Sequence, residues 1–188
     1  MKKTYQVIVI GASTGGLTTL SSLFQALSKK INVPIIVVQH LHPTQNQDYI
    51  DIVGRESSLP VLEAQDKEAF QPGQIYFAPP GYHLQIESDG LFSLSVDQKV
   101  NHCRPSVDTL FESAVDVYGE QIIGVILTGA NNDGAKGLQQ IKSAGGLSIV
   151  QEVSTAECPF MPRAAMQLTD VDCVLSIKDI ADKLNHLC

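Results

Sequence analysis

Short apolar runs alternate along this chain with longer stretches in which apolar residues recur at helical spacing. Residues 5–10 are continuous and rich in β-branched side chains, which is typical of a strand that is buried on both faces. Residues 15–29 follow, and their apolar positions mark one face of a helix: Leu17, Leu20, Leu23, Phe24 and Leu27. Strand-like runs recur at 33–39, 75–78, 122–127 and 147–150. Helix-like stretches recur at about 44–57, 105–118 and 134–144. This alternation predicts a parallel sheet with right-handed crossovers.

The middle and the end of the chain add a hairpin and an edge strand. Residues 82–87 and 91–96 flank Ser88-Asp89-Gly90, which is a hairpin signal. A short helix is expected at 163–168 and an edge strand at 173–175, and the last helix is expected to start at Ser176. We therefore predict one domain over residues 1–188: a doubly wound, three-layer αβα fold with a mostly parallel sheet and an antiparallel β-hairpin excursion.

Charge and cysteine content narrow the class of protein. The 188 residues carry a formal net charge of −7, whereas nucleic-acid binders present a basic face. No apolar run approaches the roughly 18 residues that span a bilayer, and the run after Lys2 and Lys3 is too short for a signal peptide. The four cysteines are dispersed and form no CxxC pair, so we expect reduced structural thiols in a cytoplasmic protein.

Candidate chemistry lies where three predicted strands end. Ser13 follows the first strand, His40 follows the second, and Asp133 follows the strand at 122–127. In open α/β sheets, ligands bind beyond the carboxyl ends of the strands, so these side chains are expected to meet on one rim. Together they are the three residue types of a Ser-His-Asp catalytic triad.

Each of these residues has a physical task in such a triad. Ser13 needs a base to become a nucleophile, and His40 titrates near neutrality. Asp133 would fix the imidazole tautomer. Ser13 would also lie at the start of a helix, where free N–H groups favour a developing oxyanion. Gly11-x-Ser13-x-Gly15 matches the nucleophile-elbow pattern, although the order serine, histidine, aspartate differs from that of the α/β-hydrolase fold.

Other interpretations of the same residues stay open at this stage. Ser13 and Asp133 could each cap a helix, and His40 could be a structural histidine. The stretch from Gly11 to Gly16 resembles a dinucleotide-binding GxGxxG whose second glycine is replaced by serine. His40-x-His42 could hold a metal, but no third ligand is evident.

Several blocks of the chain resemble the catalytic domain of CheB-type chemotaxis receptor methylesterases. The resemblance covers nearly the whole chain and rests on five blocks in order: Val9-Ile-Gly-Ala-Ser-Thr-Gly-Gly, Val38-Gln-His-Leu, Arg104-Pro-Ser-Val-Asp-x-Leu-Phe, Leu127-Thr-Gly-x-x-x-Asp-Gly-Ala-x-Gly and Met161-Pro-Arg. It implies that Ser13 is the nucleophile, with His40 and Asp133 as its partners. It further implies an oxyanion site at the hydroxyl of Thr14 and at the backbone N–H of Ala130, which stands where the family has methionine.

The resemblance also implies the reaction and its partners. The expected reaction is hydrolysis of γ-glutamyl methyl esters on the cytoplasmic helices of methylated chemotaxis receptors, with release of methanol, and deamidation of receptor glutamines by the same chemistry. No metal or organic cofactor is implied. Family members usually carry a receiver domain, which we do not find in residues 1–188, so a separate response regulator is an expected partner. The alternative is an inactive, family-like module that binds a receptor or signalling protein.

Overall fold

Strands and helices alternate through the residues that the computed structural model describes, 4–41 and 48–188. The strands are β1 (Val7–Ala12), β2 (Ile35–Gln39), β3 (Val61–Glu63), β4 (Ile75–Phe77), β5 (His83–Ile86), β6 (Phe92–Ser95), β7 (Ile122–Ile126), β8 (Leu147–Gln151) and β9 (Cys173–Leu175). The helices are α1 (Gly16–Ala26), α2 (Asp48–Gly54), α3 (Val107–Tyr118), α4 (Ala135–Ser143), α5 (Phe160–Leu168) and α6 (Ile177–Leu187).

Seven of these strands form one parallel sheet, in the order β3-β4-β2-β1-β7-β8-β9. The chain first builds outward from β1 on one side and later returns to pair β7 on the other side. The strand order therefore reverses at β1, and a crevice is expected at the carboxyl ends of β1 and β7. The doubly wound fold and the edge position of β9 confirm the sequence predictions.

Each face of the sheet carries its own hydrophobic core. Ile8 and Ile10 of β1 pack with side chains of α1, α2 and α6 on one face. Val7 and Val9 pack with α3, α4 and α5 on the other. Because both faces are covered, β1 is a continuous apolar run with no polar alternation.

The predicted hairpin is also present, as a separate antiparallel pair of β5 and β6. Its buried side chains Leu84, Ile86 and Phe92 join the core beneath α3. The Ile86 N–H also donates to Ser113 Oγ of α3 at 3.1 Å. The hairpin is thus an excursion from the parallel sheet that is anchored to one helix.

The sequence predicted helix α2 in part and did not predict strand β3. Of the helix expected at about 44–57, the structure shows α2, while residues 44–47 lie outside the described residues. Strand β3 was not predicted, because it has only three residues and is not fully buried. Among the described residues, no helix is both long and apolar enough to cross a membrane.

Candidate active site

Backbone hydrogen bonds tie three strand ends together at the carboxyl edge of the sheet. Ala12 and Gln39 are register partners across β1 and β2, so Ser13 and His40 leave neighbouring strands at matching positions. The His40 N–H donates to the Ala12 carbonyl at 3.0 Å, and the Ser13 N–H donates to the Thr128 carbonyl at 2.9 Å. The segment after β7 therefore lies beside the ends of both β1 and β2, at the point where the strand order reverses.

His40 and Asp133 form a direct pair at this edge. His40 Nε2 is 2.9 Å from Asp133 Oδ2. The Asp133 side chain is fully buried, whereas the imidazole keeps 13% of its surface exposed. The buried carboxylate thus fixes the ring from the inside, and the ring retains an open side toward solvent.

The N-terminus of α3 surrounds the Asp133 carboxylate. Ser106 Oγ donates to Oδ1 at 2.8 Å, the Val107 N–H donates to Oδ2 at 2.6 Å, and Asn101 Nδ2 donates to Oδ1 at 3.0 Å. Burial by itself raises the pKa of Asp133, but the hydrogen bonds from His40, Asn101 and Val107 outweigh it, so the pKa lies below its ordinary value. Asp133 is therefore a carboxylate. It does not cap its own helix, because Gly134 is the N-cap of α4 and makes no side-chain cap.

The second ring nitrogen of His40 has two different neighbours. Asn131 Nδ2 lies 3.1 Å from Nδ1, and Cys103 Sγ lies 3.8 Å from it. An amide donor at Nδ1 requires the lone pair there, so in the neutral ring Nε2 carries the proton that Asp133 accepts. Burial lowers the pKa of His40, but the hydrogen bonds and negative charges of Asp133 and Cys103 raise it more, to about 9.

Ser13 stands at the same edge without a bond to the imidazole. Within the described residues, no hydrogen bond joins Ser13 Oγ to His40. Ser13 is also not the N-cap of α1, because that position is Gly15, at φ 76°, with no side-chain cap. The structure therefore brings His40 and Asp133 together and places Ser13 on the adjacent strand end.

The turn that carries Ser13 is held by close packing and by one buried side chain. Gln39 Nε2 donates to the carbonyls of Ser13 and His40, at 2.9 and 3.0 Å. Gly129 faces Ser13, and a Cβ at Gly129 would lie 2.8 Å from Ser13 Cβ and 2.0 Å from Met161 Sδ. A side chain at position 129 would thus collide with the serine turn and with α5.

Two backbone amides beside Ser13 are free to donate. Within the described part of the chain, the N–H groups of Thr14 and Ala130 make no hydrogen bond, and both residues are exposed. The Thr14 carbonyl is held by Thr128 Oγ1 at 2.9 Å, which fixes this turn. Free N–H groups on a fixed turn are what an oxyanion site needs.

The donor atoms of His40, Cys103 and Asp133 lie within 4.8 Å of one another, a spacing that a metal ion can use. Both oxygens of Asp133, however, already accept hydrogen bonds from His40, Asn101, Ser106 and Val107. The carboxylate is committed to orienting the imidazole, and the cluster suits proton transfer better than cation binding. His42, the second histidine of the His-x-His pair, lies outside the described residues.

Comparison with known proteins identifies the family of this chain. The family model described as CheB methylesterase matches residues 8–184, which is nearly the whole chain. The chain belongs to the CheB methylesterase family. This membership favours a hydrolytic site over the dinucleotide-binding alternative that the glycines near Ser13 left open.

Relatives of this CheB-family chain carry the same activity name. A protein of Leptospira interrogans is 46% identical over 178 residues, spans 95% of this chain and 92% of its own length, and is named a putative protein-glutamate methylesterase/protein-glutamine glutaminase. A Clostridium acetobutylicum protein with that activity name is 36% identical over 95% of this chain, which matches only 52% of the relative. The crystal structure of the Thermotoga maritima CheB methylesterase catalytic domain superimposes with a TM-score of 0.94 at 35% identity, covering 98% of this chain and all of that one.

Several residues of this CheB-family site were missed by sequence reasoning. Gln39, Asn101, Cys103 and Asn131 all contact the turn or the His40–Asp133 pair. Gln39 is next to His40 and Asn131 is two residues before Asp133, so their positions in the sequence could have indicated a role at the site. Asn101 and Cys103 offered no such indication, because they lie in a loop whose approach to the sheet edge is decided by tertiary packing.

Proposed function

We propose that this chain is a serine methylesterase that hydrolyses γ-glutamyl methyl esters of chemotaxis receptors in the cytoplasm, with Ser13 as the nucleophile, and that it also deamidates receptor glutamines. The observation that carries the proposal is the His40–Asp133 pair at 2.9 Å, on the same sheet edge as Ser13, in a chain of the CheB methylesterase family. The activity name of the relatives supports the same substrate class.

The reaction begins with proton transfer from Ser13 to His40. Because Nε2 is held by Asp133, Nδ1 is the ring nitrogen that accepts the proton. Ser13 Oγ attacks the ester carbonyl and forms a tetrahedral oxyanion. The free N–H groups of Thr14 and Ala130 are the donors that we assign to this oxygen.

Collapse of the intermediate releases the alcohol. His40 returns its proton to methoxide, methanol leaves, and an acyl-enzyme remains on Ser13. Water then attacks the acyl carbon through the same base, and glutamate is the product. An amide in place of the ester would release ammonia by the same steps. The chemistry uses no cofactor.

Ser13 must donate to a nitrogen that Asn131 and Cys103 face in the structure without substrate. Catalytic hydrogen bonds are often long or absent in such structures and form when substrate binds. A change in the Ser13 rotamer, with Asn131 yielding its place at Nδ1, is therefore the expected consequence of binding.

Methanol release from methyl-labelled receptor membranes tests the proposal, with wild type, Ser13→Ala and Ser22→Ala side by side. Ser22 is the matched control, because among the described residues its Oγ bonds only to the Thr18 carbonyl of its own helix. Ser13→Ala should reduce kcat at least about a thousandfold, since a triad nucleophile is worth that or more. Equal release by wild type and Ser13→Ala would contradict the role of Ser13, and no release by wild type would favour the inactive binding module.

A further inference from the structure

The Cys103 thiol, which the proposed reaction does not use, lies near His40 Nδ1, the nitrogen that accepts the proton of Ser13 in that reaction. Cys103 Sγ is 3.8 Å from His40 Nδ1, Asn131 Nδ2 donates to the same sulfur at 3.8 Å, and the thiol donates to the Asn101 carbonyl at 3.4 Å. The imidazole is held from behind by the Asp133 carboxylate. A thiol beside an imidazole that a carboxylate holds is the arrangement in which a base can take the proton of a cysteine.

A small cavity gives access to this sulfur. Its volume is about 150 Å³, and its lining includes His40, Cys103, Lys99, His102 and Arg104. Lys99 and His102 are exposed, whereas Cys103 and Arg104 are half-buried. Lys99 and Arg104 therefore place positive charge at the opening. Cys103 lines this cavity, and the volume is large enough to hold a molecule the size of a peroxide.

The other three cysteines lack such an environment. Cys158, Cys173 and Cys188 are free and half-buried. Among the described residues, none of them makes a hydrogen bond to a histidine. Burial raises the pKa of Cys188 to about 11, which suppresses its thiolate further. These three thiols are therefore internal controls for any reagent that acts on Cys103.

We propose that Cys103 is a covalent modification site for peroxides, and that its oxidation disables the base of the proposed esterase. The oxidation step follows from the thiol and its surroundings alone. The loss of hydrolysis rests on the proposed function, because it requires that Ser13 uses His40 Nδ1.

The chemistry balances with hydrogen peroxide as the oxidant. His40 Nδ1 takes the proton of the thiol, and the sulfur attacks one peroxide oxygen. The S–O bond forms, the O–O bond breaks, and the leaving hydroxide collects the proton from His40 as water. Cys103 becomes a sulfenic acid by losing two electrons, which peroxide gains. Excess dithiothreitol returns the sulfenic acid to the thiol.

Oxidation would change the surroundings of the base directly. The added oxygen lies on the sulfur that already faces Nδ1, so it competes with the Ser13 hydroxyl for the lone pair of that nitrogen. His40 keeps its bond to Asp133 and remains folded in place, but it cannot accept the proton of the serine. Activity should fall while the structure stays intact.

Alkylation kinetics test the thiol without reference to esterase activity. Wild-type protein is treated with iodoacetamide at pH 7, and labelling of each cysteine is followed by peptide mass spectrometry. Cys103 should react at least about tenfold faster than Cys158, Cys173 and Cys188. His40→Asn should slow Cys103 at least tenfold, and His40→Gln, which removes the same base, should do so as well and serves if His40→Asn does not fold. Equal rates at all four cysteines, or no effect of either variant, would overturn the proposal.

Inactivation by peroxide tests whether oxidation of Cys103 stops hydrolysis of the ester. Wild type and Cys158→Ser should lose at least 90% of their methanol release after hydrogen peroxide and recover it with dithiothreitol. Cys103→Ala should still release methanol, and peroxide should leave that release at the level of the untreated variant. Inactivation of Cys103→Ala at the wild-type rate overturns the proposal, and so does a loss of more than 100-fold in this variant before treatment, since the sulfur would then take part in hydrolysis. If wild type releases no methanol at all, the proposed function fails, and the labelling experiment still decides whether Cys103 is reactive.

Discussion

The two nitrogens of His40 have separate partners, and this division determines how the residue titrates. Asp133 holds Nε2, while Asn131 and Cys103 face Nδ1. The neutral ring accepts from the Asn131 amide, and the protonated ring can donate to the Cys103 sulfur. Both protonation states therefore find a partner, but Asp133 and Cys103 together favour the charged state and hold the pKa near 9.

The pH dependence of kcat/KM should show this elevated pKa. A general base works as the neutral ring, so kcat/KM should rise about tenfold per pH unit below pH 9 and level off above it. Cys103→Ala removes a hydrogen bond and a charge that stabilise the imidazolium, so the midpoint should move to lower pH. Cys158→Ser is the control and should leave the midpoint in place. A midpoint near 6.5 in wild type would contradict the elevated pKa of His40 and the influence of Asp133 and Cys103 on it.

Helix α3 acts on the site through its first turn. Ser106 is its N-cap, and the same hydroxyl that caps the helix donates to Asp133. The N–H groups at the start of a helix are unpaired and carry partial positive charge, so a buried carboxylate is stabilised there. Hydrogen bonds from the first turn of α3 replace the water that the Asp133 carboxylate lost on burial. The acid of the His40 pair is thus oriented by an element that is distant in sequence.

Ser106→Ala should separate this role from ordinary helix capping. Loss of the cap costs about 1 kcal/mol of unfolding free energy, and the lost hydrogen bond to buried Asp133 adds about 1 kcal/mol. We also expect kcat to fall about tenfold, because one donor that holds Asp133 is gone. Ser176→Ala is the matched control, since Ser176 caps α6 with the same backbone contact to Asp179. It should lose stability in chemical denaturation without losing kcat; a similar drop in kcat in both variants would contradict the positioning role.

At the scale of the whole molecule, the candidate site lies where the strand order reverses, at β1. Parallel strands all present their carboxyl ends at one edge, and the crossing helices leave that edge open. Residues from β1, β2 and the segment after β7 therefore meet although they are far apart in sequence. The fit is tight at Gly129, which lies between the Ser13 turn and Met161 of α5.

Gly129→Ala should damage activity more than stability. The added methyl group has no room beside Met161 and Ser13, and a shift of about 1 Å in the serine turn costs about 100-fold in kcat. Overpacking should cost about 1–3 kcal/mol of unfolding free energy. Gly90→Asn is the control, because no atom lies within 4 Å of a Cβ there and asparagine tolerates its φ of +80°. Wild-type kcat in Gly129→Ala would show that the turn is not held by this contact.

The sequence by itself determined the order and type of most elements, because continuous apolar runs and helical spacing depend on local chain geometry. It also predicted that Ser13, His40 and Asp133 meet at one edge, since strand direction in a parallel sheet places them there. It left open which helix would stabilise the Asp133 carboxylate and which groups would face His40 Nδ1. Only the tertiary structure decided these, by packing the loop of Asn101 and Cys103 and the first turn of α3 against the sheet edge. Such contacts join residues up to about 60 positions apart, and their selection depends on burial and on satisfying the buried carboxylate, which no local pattern records.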